Sequence, residues 1–129
     1  MYSTVPTDFN LKQIIDLLTA SPLISSLRVM LTDETARRSI HKIRCQLLRP
    51  TDFLEVRLIS TEKELLYSYQ FFTNKPILRW DNTPHFPRLS NFPHHIHHEG
   101  REVVASDLSG DPLADIPLVL NQVERHLNP

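Results

Sequence analysis

A long stretch of alternating apolar and polar residues between positions 26 and 82 constrains the fold more than any other feature. In "DFLEVRLIS", the apolar residues Leu54, Val56 and Leu58 alternate with Glu55 and Arg57. The same period of two occurs in "SLRVMLTD", "SIHKIRCQLL", "KELLYSYQFF" and "PILRWDN", and the segments "RPTD", "STEK" and "TNKP" are short and polar. Such alternation is typical of strands with one buried face, and short polar connections are typical of hairpins. The pattern predicts five consecutive antiparallel strands arranged as a meander.

A period close to 3.6 residues occurs at both ends of the chain and predicts two helices. The first spans about residues 10–20, with Asn10 as its N-cap and Gln13 completing a capping box. The second spans about residues 113–127, with its regular part beginning close to Pro117. Between them, a proline-rich loop from Thr83 to about Gly100 precedes "REVVAS", a last short strand. The predicted fold is a single α+β domain, residues 1–129, with a meander of five to six strands and both helices packed mainly on one face.

Composition excludes several classes of protein. The formal net charge of the 129 residues is −1 with neutral histidines, so any binding of nucleic acid must depend on a local basic patch. No apolar run approaches the roughly 20 residues needed to cross a bilayer, and the single cysteine, Cys45, excludes an intrachain disulfide. The N-terminal "MYSTVPTDFN" lacks the features of a signal peptide, so we expect a cytoplasmic protein without membrane contact.

The polar side of the predicted sheet is a candidate for a basic patch. Its side chains include Lys42, Arg44, Arg57, Ser68, Gln70 and Arg79. This set suits the binding of phosphate groups. It is also common on ordinary solvated sheet faces, where Lys and Arg block edge pairing and form ion pairs with residues such as Glu55.

Four histidines in "NFPHHIHHEG" are the clearest candidates for chemistry: His94, His95, His97 and His98. In an extended segment, His95 and His97 share a face and can bind one metal ion. In a helical segment, His94 and His98 would form the pair instead. Further ligands could come from Asp81, His85 or Glu99. Neither an HExxH motif nor a pair of cysteine ligands is present to specify such a site.

The same histidines also suit acid–base chemistry without a metal, because imidazole titrates near neutral pH. Cleavage of RNA through its own 2′-hydroxyl needs a proton acceptor, a proton donor and a cation that stabilises the charge on the phosphorane. Histidines near Arg79 on a basic face would supply that set. Tyr69 could orient a phosphate or stack on a base.

A third interpretation of the histidine segment is structural. Prolines at positions 84, 87 and 93 would stiffen the loop, and Phe86 and Phe92 would hold it against the core. The histidines would then bond to backbone groups or face water.

The stretch from Tyr67 to His98, "YSYQFFTNKPILRWDNTPHFPRLSNFPHHIHH", resembles the TumE family of toxin–antitoxin toxins. That family shows YSY, then R-[WY]-D-N-x-P-H-x-P after a variable hairpin, and finally F-P-H-H-x-H. The matching residues are Tyr67, Ser68, Tyr69, Arg79, Trp80, Asp81, Asn82, Pro84, His85, Pro87, Phe92, Pro93, His94, His95 and His97. The motif covers about a quarter of the chain, and the remainder agrees only in outline.

The resemblance implies a small intracellular toxin of a type II module, neutralised by an antitoxin protein. It suggests an action on RNA, and a homo-oligomer is compatible with it. It also implies that the Arg-Asp-His segment and the His-His-x-His segment form one site. The alternative is a non-enzymatic binding protein or a metal-binding protein that uses the histidine-rich loop.

From this site we predict a ribonuclease that needs no metal or other cofactor. Arg79 would grip a phosphate in two places, and Asp81 would orient a histidine. The proton-transfer candidates are His85, His94, His95 and His97, and the substrate-binding candidates are Tyr69, Arg57 and Arg44. In the metal-binding alternative, a divalent ion would be held by His95, His97 and His85. Because side chains alternate along a strand, Trp80 should lie in the core and Arg79 at the site.

Overall fold

The computed structural model describes residues 8–129 and has an α+β architecture with two helices and seven strands. The elements are α1 (Leu11–Thr19), β1 (Ile24–Glu34), β2 (Arg38–Leu47), β3 (Phe53–Thr61), β4 (Leu65–Phe72), β5 (Pro76–Asp81), β6 (His95–His98), β7 (Val104–Ala105) and α2 (Pro112–Leu127). The strands form one antiparallel sheet in the order of the sequence, β1 to β7. The predicted meander with a helix at each end is confirmed, with one strand more than the upper limit of the prediction.

The additional strand, β6, lies in the segment that the sequence predicted to be a loop. It pairs with β5 in the register Leu78–His98, Arg79–His97, Trp80–Ile96 and Asp81–His95. The two-residue strand β7 falls within "REVVAS" and pairs with β6. Because the histidine segment is extended, the helical pairing of His94 with His98 is wrong.

Both helices have clear start signals. Asn10 Oδ1 accepts a hydrogen bond from the backbone N–H of Gln13 at 2.9 Å, and the Gln13 side chain accepts one from Asn10 N at 2.9 Å. The predicted capping box is therefore confirmed. Helix α2 begins earlier than predicted, at Pro112 after the N-cap Asp111, so Pro117 lies inside the helix instead of near its start.

The core lies between the helices and one face of the sheet. One row of buried side chains crosses five strands at matched register positions: Ile43, Val56, Tyr69, Trp80 and Ile96. Buried residues of both helices, such as Leu18 and Val123, belong to the same cluster. We call this side of the sheet the core face and the opposite side the outer face. The prediction that Trp80 lies in the core is confirmed.

Strand β1 departs from the expected alternation of buried and exposed residues. Val29 and Leu31 are 38% and 48% exposed, and the pairing of β1 with β2 shifts register between them. This end of the β1–β2 hairpin therefore contributes little to the core. None of the helices within residues 8–129 is long and apolar enough to cross a membrane.

Candidate functional site

The outer face brings the polar candidates together in two rows that run across the strands. Paired register positions define the first row, Arg44, Glu55, Gln70, Arg79 and His97, and the second row, Lys42, Arg57, Ser68, Asp81 and His95. Each row ends in a histidine on β6. The period of two in the sequence thus places Arg79, Asp81, His95 and His97 side by side on two neighbouring strands.

Asp81 is the centre of this cluster, and its side chain is only 6% exposed. Its Oδ1 accepts hydrogen bonds from the Thr83 hydroxyl at 2.8 Å and the Thr83 backbone N–H at 3.1 Å. Its Oδ2 accepts one from Arg79 Nε at 3.1 Å. Burial alone would raise the pKa of Asp81, but the Thr83 hydrogen bonds and the nearby charges of His95 and Arg79 together hold it below its usual value. The side chain is therefore a carboxylate at neutral pH.

His95 lies against this carboxylate in a buried position. Its Nδ1 is 2.9 Å from the carbonyl oxygen of Pro93, which can only accept, so Nδ1 carries the proton and donates it. Its Nε2 lies 2.8 Å from Asp81 Oδ1, yet the contact lacks the direction of a hydrogen bond and Nε2 has no hydrogen-bond partner among residues 8–129. This nitrogen therefore faces the carboxylate at close range without a hydrogen bond from any described residue.

His97 lies beside His95 and is the more accessible of the two, with 28% of its side chain exposed. Its Nε2 is 3.3 Å from Asp81 Oδ2 and accepts a hydrogen bond from Arg79 Nη2 at 3.2 Å. Burial and the positive charge of Arg79 lower the pKa of His97. The ring is therefore neutral near pH 7, with its lone pair on Nε2.

Phe86 covers the two histidines from the proline-rich loop. Its ring centroid lies 4.8 Å from that of His95 and 5.9 Å from that of His97, and both contacts are edge-on. His85 also contacts the Phe86 ring, at 6.4 Å, but is itself exposed. Thus Phe86 packs on the outer-face histidines, and the loop shields His95 from water.

A cavity of about 320 Å³ opens beside Arg79 and Asp81, and His97 lines a neighbouring cavity that shares Arg79 with it. The residues with polar side chains in the wall of the first cavity are Arg57, Tyr67, Ser68, Arg79, Asp81, Asn82, Thr83 and His85. Arg57 is exposed, and no hydrogen bond or ion pair of its side chain occurs within residues 8–129. By contrast, the guanidinium of Arg44 is bound to Glu55 at 2.9 Å. Of the two arginines predicted to bind substrate, only Arg57 faces the cavity with a free guanidinium.

Two predicted site residues lie on the other side of the sheet. Tyr69 is fully buried on the core face, and burial raises the pKa of its hydroxyl well above the usual value. His94 is also buried, and its Nδ1 lies 2.8 Å from the hydroxyl of Tyr67. Neither side chain is positioned to touch a substrate on the outer face, so the structure separates them from Arg79, Asp81, His95 and His97.

Asp81, His95 and His97 also meet the geometric conditions for holding a metal ion. One ligand atom from each residue lies within 4.8 Å of the other two. His85, the third ligand in the metal-binding alternative, stands outside this group, at the wall of the cavity. The third ligand of this group is therefore Asp81, whereas the metal-binding alternative predicted His85.

The sequence interpretation missed Thr83 as a neighbour of the cluster, and its expectation that Phe86 holds the loop against the core is wrong, because Phe86 packs on the outer-face histidines. Thr83 follows Asp81 by two residues, and an Asp side chain commonly accepts a hydrogen bond from the backbone N–H two positions on. That signal was present in "DNT". The role of Phe86 had no local signal, because it depends on the way the loop folds back over β6.

One comparison with known proteins gives a match. The family model described as Toxin TumE matches residues 13–127, which is almost the whole chain and includes every residue of the cluster. No curated protein and no solved structure matches the chain.

Proposed function

The chain belongs to the TumE toxin family, and we propose that it is the toxin of a type II toxin–antitoxin pair that cleaves RNA at the outer-face cluster. Membership supports the toxin role and, more generally, a protein antitoxin as its partner. The cleavage activity is our inference from the geometry of the cluster. Its substrate would be a single-stranded segment of RNA, because the cavity lies on an open sheet face where an unpaired strand can lie.

The observation that supports cleavage most directly is the position of His97 between a carboxylate and an arginine. Transfer of the 2′-hydroxyl oxygen to phosphorus needs a neutral base, and the lowered pKa keeps His97 neutral at physiological pH. Its Nε2 lone pair accepts a hydrogen bond from Arg79, whose side chain is 45% exposed and could exchange its bonds to His97 and Asp81 for bonds to a phosphate. Binding of the phosphate by Arg79 would therefore release the base at the point where it is needed.

Each remaining residue then has a distinct role in this reaction. His97 accepts the proton of the 2′-hydroxyl, the 2′-oxygen bonds to phosphorus, and the bond to the 5′-oxygen breaks. Arg79 and Arg57 neutralise charge on the phosphorane. His85, exposed at the cavity wall, donates a proton to the leaving 5′-oxygen. Asp81 is a positioning residue, because it contacts His95, His97 and Arg79. The products are a 2′,3′-cyclic phosphate and a free 5′-hydroxyl.

The test uses full-length protein from cell-free synthesis and end-labelled RNA oligonucleotides, with EDTA present throughout. We expect cleavage that leaves cyclic phosphate ends, and we expect none on an oligonucleotide with a 2′-deoxy sugar at the cut position. Arg79→Ala and His97→Gln should lose activity by at least about 100-fold, as expected for loss of a charge stabiliser or of a base. Arg125→Ala is the matched control, because Arg125 is an exposed arginine on α2.

A second arm measures growth of cells in which each variant is expressed without an antitoxin. Wild-type and Arg125→Ala proteins should arrest growth, and Arg79→Ala should not. Growth arrest without RNA cleavage in any assay would overturn the proposed activity and favour a toxin that acts by binding. Normal growth with wild-type protein at high expression would overturn the toxin role of this chain.

A further inference from the structure

We propose that Asp81, His95 and His97 form a binding site for one divalent transition-metal ion of the zinc type. The two imidazole nitrogens and one carboxylate oxygen all lie within 4.8 Å of one another, and Asp81 also lines the cavity. Three protein ligands and one open side are the arrangement of metal sites that exchange a ligand with solvent. The proposed RNA cleavage does not require a metal ion, so this inference goes beyond the proposed function.

The orientation of His95 is the first independent reason. Its Nδ1–H donates to the Pro93 carbonyl oxygen, and its buried Nε2 faces the carboxylate without a hydrogen-bond partner among the described residues. Histidines that bind metals usually donate their second ring N–H to a backbone carbonyl, which fixes the ring and leaves the other nitrogen free for the ion. A buried ring nitrogen that faces a carboxylate without a hydrogen bond is placed as a metal ligand is.

The separation of the ligand atoms is the second reason. Metal–ligand bonds of roughly 2.0–2.2 Å in a tetrahedron place neighbouring ligand atoms about 3.4 Å apart. In the structure, His97 Nε2 lies 3.3 Å from Asp81 Oδ2, and His95 Nε2 lies 2.8 Å from Asp81 Oδ1. The two imidazoles approach different oxygens of the same carboxylate, so side-chain rotations that bring one oxygen toward both nitrogens would complete the site. The Thr83 hydrogen bonds hold the carboxylate in place for it.

The donor set determines which ions fit. Two imidazoles and one carboxylate suit zinc and its first-row neighbours, whereas Mg²⁺ and Ca²⁺ prefer sites made only of oxygen ligands. Zn²⁺ is the strongest expectation because it tolerates low coordination numbers, and Co²⁺ is its spectroscopic substitute.

Arg79 competes with the ion for the same atoms. It donates to His97 Nε2 and to Asp81 Oδ2, so the ion must displace its guanidinium toward solvent. If the proposed function is correct, the ion also occupies the lone pair that accepts the 2′-hydroxyl proton. Metal binding should then inhibit cleavage, and this consequence, unlike the site itself, depends on the proposed function.

The direct test is titration of chelator-treated full-length protein with CoCl₂ and then ZnCl₂, followed by visible absorption and calorimetry. We expect one ion per chain, a Co²⁺ spectrum of four-coordinate type, and displacement of Co²⁺ by Zn²⁺. His97→Gln and Asp81→Asn should weaken binding by more than about tenfold. Arg79→Ala should tighten it, because the competing cation is removed. His98→Gln is the matched control. His98 belongs to the same segment but pairs with Leu78, one register position away from His97, so it lies on the opposite face of the sheet.

His97→Gln keeps the test decisive even if changes at the more buried residues prevent folding, because His97 is partly exposed. Absence of binding, or binding that is unchanged in His97→Gln, would overturn the site and leave the proposed function untouched. Binding with inhibition of cleavage would support both proposals. Binding with cleavage that appears only in the presence of the ion would support the site and overturn the metal-free reaction.

Discussion

Replacing Trp80 by alanine should disturb the hydrophobic core, whereas replacing its neighbour Arg79 should disturb only the outer-face cluster. The two variants therefore test core packing and the candidate site separately, although the two residues are adjacent in the chain. Trp80 is fully buried between Tyr69 and Ile96 on the adjacent strands, and its indole N–H donates to Gln122 on α2 at 2.9 Å. Removal of a buried tryptophan side chain costs roughly 3–5 kcal/mol in free energy of unfolding. For a chain of this size, about 3–5 °C is lost for each kcal/mol, so the melting temperature should fall by about 10–25 °C.

Arg79→Ala removes a side chain that points the other way and is nearly half exposed. Its ion pair with Asp81 is partly screened by water, and we expect a loss of about 1 kcal/mol or less, or a shift of a few degrees. Growth arrest and RNA cleavage should nevertheless disappear. Gln122→Ala, which removes only the partner of the indole, should cost about 1 kcal/mol and keep activity.

The assay is a thermal melt of the three variants by circular dichroism, with the growth assay on the same plasmids. The reasoning would be refuted by an Arg79→Ala protein that melts as far below the parent as Trp80→Ala does. In that case, the outer-face cluster would be a structural clasp, and its polar contacts would serve the fold.

Three further predictions depend on the pKa shifts. Burial lowers the pKa of His94, and burial together with Arg79 lowers that of His97. As pH falls below about 6.5, these two histidines therefore bind protons more readily in the unfolded chain than in the folded one. Stability should therefore be complete above that pH and decrease below it, and His94→Gln should reduce the slope in melts at pH 5 to 7. Thr83→Val should raise the pKa of Asp81, so the variant should lose its acid-sensitive stability at a higher pH than the parent does. In guanidinium chloride at pH 7, its free energy of unfolding should be lower by about 1.5–3 kcal/mol. Burial raises the pKa of the Cys45 thiol to about 12, so an aromatic disulfide reagent should modify it only in denaturant.

Much of the fold could be predicted because the relevant signals are local. The period of two assigned β2 to β5 and correctly placed Arg79 and Trp80 on opposite faces. The capping box marked the first helix. Strand β6 was missed because four residues after a proline are too short to establish a period, and its identity depends on pairing with β5.

The position of Tyr69 shows how two sequence signals can compete. Its alternation with Leu65, Tyr67 and Phe71 already placed it on the apolar side of β4, where the structure has it. Its membership in the YSY motif favoured a role in the site. The physical period is the stronger argument, because a slip of one residue would turn every side chain of the strand to the other face. A motif residue can therefore be part of the scaffold that supports a site.

The same parity rule accounts for the histidine segment as a whole. His95 and His97 extend the two outer-face rows, whereas Ile96 continues the core row and His94 bonds to Tyr67 beneath the sheet. The dense tract is therefore not one ligand set but two sets of residues on opposite faces of the sheet. His94 and Ile96 lie on the core face of the sheet, and His95 and His97 lie on the outer face and contact Asp81. Because β5 alternates in the same way between Trp80 and Asp81, core residues and cluster residues are interleaved on both strands. Each substitution in the tract should therefore affect mainly either core packing or the outer-face cluster.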